Sequence, residues 1–77
     1  MNYNGQKVEE FTSKEPVVFE PPIMALVWYE ESFIMQRKVF VYDPRLQMPV
    51  IGLNNDDYIN TEYCHMALIP TTKENNK

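Results

Sequence analysis

Ile23-Met24-Ala25-Leu26-Val27-Trp28-Tyr29 opens a run of short apolar blocks that ends at Tyr63-Cys64-His65-Met66-Ala67-Leu68-Ile69-Pro70. Turn residues separate the blocks, and prolines at 16, 21, 22, 44, 49 and 70 leave no helical window longer than residues 23–43. That window is rich in Val, Ile, Phe, Tyr and Trp, which fit a pleated sheet better than a helix. The stretch 23–70 therefore predicts one small, strongly bent all-β domain.

Working outward, Val17-Val18-Phe19 reads as a short edge strand ended by Pro21-Pro22. Residues 23–29 are a strand too continuously apolar to show which face is buried. Glu30-Glu31-Ser32 is a hairpin turn. The second strand, 33–42, has no clean apolar face: Phe33, Met35, Arg37, Val39 and Val41 alternate with Ile34, Gln36, Lys38, Phe40 and Tyr42. A bend or bulge that swaps the inward residues partway along accounts for this. Asp43-Pro44-Arg45-Leu46 is a turn with Pro at its second position. Residues 48–53 form a third strand in which Gly52 permits a close approach. Asn54-Asn55-Asp56-Asp57 is the next turn, and 58–60 a short fourth strand. Residues 61–65 are expected to form a single 3₁₀ turn before a last strand over 66–69.

The remaining chain is polar. Residues 1–14 lack hydrophobic period and read as a mobile arm, and 71–77 read as a disordered tail, leaving 15–70 as the domain. With 77 residues, the chain buries only about 60% of its unfolded surface, so its core is thin. Cys64 is the only cysteine, which points to a reducing, cytoplasmic setting. The N-terminus lacks a signal-peptide core, and the longest apolar run is seven residues against the roughly 20 that span a bilayer.

A strand, hairpin, strand, turn, strand, hairpin, strand, single helical turn and final short strand is the order of an SH3-like five-stranded barrel. The chain resembles a group of small SH3-like proteins of phage and bacterial mobile elements. The resemblance lies in the opening strand 23–28, in Arg37-Lys38-Val39-Phe40-Val41-Tyr42-Asp43, and in the closing Tyr63-Cys64-His65-Met66-Ala67-Leu68-Ile69-Pro70. It covers about 48 of the 77 residues. It departs where that group often has Trp in the closing segment and Gly near the second turn; here Tyr63 and Pro44 stand. The resemblance implies a phage-encoded accessory or inhibitor protein, acting in the host cytoplasm, but carries no activity to transfer.

Chemistry is sparse. Cys64 and His65 are strand neighbours that point to opposite faces, and no second Cys or His completes a metal site or a nucleophilic pair. The oxygens of Asn54, Asn55, Asp56, Asp57, Asn60 and Glu62 lack the spacing of a calcium loop. Glu30 and Glu31 sit on a turn and diverge into water. No phosphate loop exists with only Gly5 and Gly52 present. No cofactor, metal or enzymatic activity is expected.

A net charge of −4 argues against a general nucleic-acid binder. The expected function is a non-enzymatic protein-interaction module that binds a host protein. Its partner-binding residues are Trp28, Tyr29, Glu30, Glu31, Asp56, Asp57 and Tyr58, since aromatics at strand ends can form a groove or a cage. Core filling competes with that role, most of all for Trp28. A second reading is DNA mimicry against an enzyme such as a uracil-DNA glycosylase or a defence nuclease. It uses Glu30, Glu31, Asp56, Asp57 and Glu62, and Glu31-Ser32-Phe33-Ile34 is similar to the acidic edge segment of a phage uracil-DNA glycosylase inhibitor. A third is weak nucleic-acid binding through Arg37, Lys38 and Arg45. Homodimerisation through the edge at 17–19 is a further expectation.

Overall fold

The apolar run 23–28 lies in an interior strand of its sheet, beside one edge. In the computed structural model, which describes residues 2–54 and 58–70, that run is the second half of a twelve-residue strand. The strands are β1 (Asn2–Tyr3), β2 (Gln6–Lys7), β3 (Val17–Trp28), β4 (Ile34–Tyr42), β5 (Val50–Asn54), β6 (Ile59–Tyr63) and β7 (His65–Leu68). β1 and β2 pair with each other, and the rest form one antiparallel sheet in the order β6-β5-β4-β3-β7. The domain is all-β, as its composition predicts.

β6 and β7 lie at opposite ends of that order, yet only Cys64 separates them in the chain. Four flat interstrand gaps of about 4.8 Å would hold the edges roughly 19 Å apart. One residue spans less than about 8 Å between its neighbours' Cα atoms. The sheet must curl until its ends meet at Cys64. Its concave face then encloses Ala25, Val27, Val39, Tyr42, Val50, Tyr63 and Met66, so that every strand of the sheet lines the core.

Two irregularities permit the curl. β4 pairs Val39 with Gly52 and then Val41 with Ile51, which leaves Phe40 as an extra residue. Inward positions switch there from Met35 and Val39 to Tyr42, the swap that the mixed pattern of 33–42 predicts. β3 pairs Val18 with Val41 and next Ile23 with Val39. Phe19-Glu20-Pro21-Pro22 bulges between, with Glu20–Pro21 cis. The prolines do not end a separate edge strand, as expected from sequence; they sit where the ladder asks for no N–H. At Gly52 an added Cβ would lie 2.8 Å from the Lys38 carbonyl oxygen and 3.3 Å from the Tyr63 ring. Close approach is why glycine stands there.

The middle of the faceless run resolves simply: over residues 25–28 both faces are buried. Ala25 and Val27 face the core, whereas Leu26 and Trp28 join Val8 and Ala67 in a second cluster on the convex side. Fully burying a side chain such as Leu26 contributes about 1.5–3 kcal/mol. The cover for that cluster comes from the segment expected to be a mobile arm. Asn4 and Gly5 have φ of 52° and 80°, the two positive values of a type I′ hairpin turn. The Tyr3 hydroxyl accepts a hydrogen bond from Gln36 Nε2 at 3.0 Å. The Phe11 N–H donates to the Met66 carbonyl at 2.8 Å, and the Phe11 ring meets Phe19 and Tyr42 edge-on in the main core. Residues 8–11 thus cross the outer edge of β7, from the convex cluster to the concave core.

The expected 3₁₀ turn is absent. Residues 61–63 are extended and paired with β5, and Cys64 alone bends. Tyr63 pairs with Val50 and is buried in the core, an arrangement that keeps ladder bonds a helical turn would lose. The turn at 43–46 closes as predicted, with the Leu46 N–H donating to the Asp43 carbonyl at 3.1 Å. The expected tail at 71–77 lies outside the described residues.

Candidate interaction surface

The β3–β4 turn is built by one backbone bond: the Phe33 N–H donates to the Glu30 carbonyl at 3.0 Å. It presents two aromatic side chains to solvent. Phe33 is 68% exposed and Tyr29 43%. With Glu30 they line a shallow cleft of about 200 Å³. Tyr29 is pinned at the far end, its hydroxyl donating to the Glu62 carbonyl at 2.9 Å and its ring 5.4 Å from that of Tyr63. Desolvation pushes its phenol pKa up, Tyr63 and Cys64 add to the shift, and Arg37 opposes it. The hydroxyl therefore stays a donor at neutral pH. It also ties the turn to β6, on the other side of the sheet's seam.

The residues expected to bind a partner do not share one surface. Glu30 and Glu31 are exposed at this turn. Trp28 is corrected to a core residue: it is 2% exposed, and its indole stacks on the His65 imidazole at 5.6 Å. Its side chain points to the convex face, opposite to that of Tyr29. Tyr58 is 80% exposed with a φ of 58° and adjoins Ile59, 61% exposed. Four residues of extended chain, roughly 13 Å, separate Tyr58 from Glu62 beside the cleft. It belongs to a different patch. Asp56 and Asp57 lie outside the described residues. Phe33, the most exposed wall of the cleft, is one of the strand-end aromatics that the sequence offers for a groove, but it is not in the expected partner-binding set.

The candidate nucleic-acid residues separate as well. Arg37 pairs with Ala25 and Lys38 with Met24, so they point to opposite faces. Arg37 is partly buried; Nη1 donates to the Gln36 carbonyl and Nη2 to Met35 Sδ, and Nε is buried without a partner. Arg45 is held in its own turn by Asp43, with Nε and Nη2 donating to the two carboxylate oxygens at 2.9 and 2.8 Å. That guanidinium and the Arg45 N–H draw the Asp43 pKa down to about 2. The three cations form no common patch.

Elsewhere, a cavity of about 300 Å³ lies between the hairpin and the convex face, lined by Tyr3, Asn4, Gln6, Gln36, Ile69 and Pro70. His65 Nδ1 meets Glu10 Oε2 at 2.7 Å, while Cys64 is a partly buried free thiol. Among the described residues no group of three His, Cys, Asp or Glu side chains could hold a metal ion, and no helix is long and apolar enough to cross a membrane. Comparison of the chain with protein-family models, curated proteins and solved structures finds no match.

Proposed function

We propose that this protein is a non-enzymatic interaction module on an SH3-like barrel, which docks on a protein partner through its β3–β4 turn. The strand order supports the barrel, with the last strand beside the first and the fourth at the far edge. The observation that carries the docking reading is Phe33, a large apolar ring held in water beside Tyr29 by a closed turn. Exposed aromatics on a fixed backbone are the usual anchors of an interface. The resemblance to phage and mobile-element proteins makes the partner a host protein and the effect accessory or inhibitory, in the host cytoplasm.

The test is partner capture with immobilised protein, followed by quantitative affinity measurement on the purified pair. Phe33→Ala is expected to weaken binding by about tenfold or more, as loss of a hot-spot residue does, and nuclease treatment to leave it unchanged. Unaltered binding in Phe33→Ala combined with Tyr29→Ala refutes the reading.

DNA mimicry is kept as a second reading because the Tyr29–Glu62 bond sets the turn bearing Glu30 and Glu31 against the strand bearing Glu62. It requires the partner to be a DNA-binding enzyme such as a uracil-DNA glycosylase or a defence nuclease, and Glu30→Lys with Glu31→Lys to weaken the complex. Binding that survives both reversals ends it. Self-association at 17–19 also remains a proposal: β7 pairs only residues 25–28 of β3, and Val18 is 65% exposed. A monomer in sedimentation at micromolar concentration would exclude it.

A further inference from the structure

We propose that the cleft at the β3–β4 turn receives an arginine side chain of the partner. This rests on the docking reading above and adds the chemical class of the group that docks.

Three features meet there. Tyr29 and Phe33 offer aromatic faces, whose negative π-density attracts cations. Glu30 lines the cleft and is exposed to solvent, Glu31 is exposed beside it, and Glu62 is on the adjoining strand, so negative charge surrounds an apolar floor. The geometry is held in advance: the Phe33–Glu30 backbone bond closes the turn, and the Tyr29 hydroxyl is anchored on Glu62. Little ordering is then left for the binding step.

The chemistry selects among occupants. An anionic group would meet Glu30 and Glu31. A purely aliphatic one would fill the space but press against the Glu30 carboxylate without pairing it. A guanidinium satisfies both parts, since its weakly hydrated plane stacks on a ring while its N–H fork bonds a carboxylate side-on. An ammonium can do the first, but its compact, strongly hydrated charge fits the second less well. The protein's own guanidiniums are engaged elsewhere, Arg37 on Gln36 and Met35, and Arg45 on Asp43 in the far turn. The net charge of −4 favours the approach of a basic segment.

The experiment is an NMR titration of the full chain with N-acetyl-arginine methylamide, its citrulline analogue (equal shape, no charge) and its lysine analogue. Arginine is expected to shift the Tyr29 and Phe33 ring resonances with millimolar affinity, lysine less strongly, and citrulline about tenfold more weakly, because the charge is lost. The affinity should fall as salt rises. Glu30→Gln, and Glu30→Gln with Glu31→Gln should one carboxylate substitute for the other, are expected to weaken arginine binding several-fold while leaving the spectrum otherwise folded. Equal shifts from citrulline, no shift from arginine, or indifference to both carboxylate variants would overturn the proposal. Affinity for the captured partner separates the two levels of inference. If Phe33→Ala weakens it and the carboxylate variants do not, docking stands and the arginine site falls. If the Phe33→Ala and Tyr29→Ala pair has no effect, the docking reading and its arginine deepening fall together.

Discussion

The two faces of β3 are buried by different means. On the concave side, Ala25 and Val27 are covered mainly by the sheet itself, through residues from all five of its strands, with Phe11 of the N-terminal segment packed at the margin. On the convex side, Leu26 and Trp28 are covered by a polar N-terminal segment that brings Val8 and Tyr3. The concave core follows from strand pairing and bulges, which many backbone hydrogen bonds enforce together. The convex cluster depends on a strap whose ties to the sheet include the Phe11–Met66 backbone bond, the Gln36–Tyr3 bond, the Glu10–His65 contact and the Phe11 ring contacts to Phe19 and Tyr42. Equal burial does not mean equal security. A strand can be fully enclosed and still owe one face to a segment that could leave.

Substitutions on the two sides should rank accordingly. Met66→Ala empties the concave core and should cost about 2–5 kcal/mol, enough to leave so thin a domain largely unfolded in urea melts. Gly52→Ala forces a methyl group against the Lys38 carbonyl, at 2.8 Å, and should cost about 1–3 kcal/mol by overpacking. On the convex side, Val8→Ala should cost only about 1–2 kcal/mol. Its signature should be local, with faster amide exchange in residues 2–11 and a red shift of Trp28 fluorescence before global unfolding. If Val8→Ala instead lowers the stability of every amide equally, the two faces form one cooperative unit and the contrast fails.

Two smaller effects concern the seam and the far turn. Tyr29→Phe deletes the hydroxyl bonded to Glu62 and should cost about 0.5–1.5 kcal/mol, with faster exchange in β6 as the check. The depressed Asp43 pKa makes a pH prediction. Its folded value of about 2 lies below the ordinary aspartate value of 3.8, so its stabilisation is complete above the unfolded pKa and is lost as pH falls from about 4 through 2. Arg45→Ala should flatten that part of the acid-unfolding profile. The change should be small, because the guanidinium is 75% exposed to solvent and screened by it.

The features legible in the sequence are those written in neighbouring residues. The β-favouring residues and the prolines predict the sheet, the mixed faces of 33–42 predict a bend or bulge that the structure places at Phe40, and Asp43-Pro44 and Gly52 mark a turn and a close approach. The strap was less legible because 1–14 is polar overall, yet the Asn4-Gly5 pair is a hairpin signal in its own right. The 3₁₀ turn failed because 61–65 carries little local preference, and pairing with β5 decided it. At the candidate site, Tyr29, Glu30 and Glu31 were readable as a turn with an aromatic beside it. Their union with Phe33 in one cleft, tied to Glu62, was not.

By itself the sequence determined an all-β chain and several of its turns, because β-branched and aromatic residues, proline and glycine act within a few residues. Only the tertiary structure decided that Trp28 is core and Phe33 is surface, and that the N-terminal segment closes the convex face. Each of those outcomes depends on which distant segment comes to lie against which face, and a curled sheet settles that only when its edges meet.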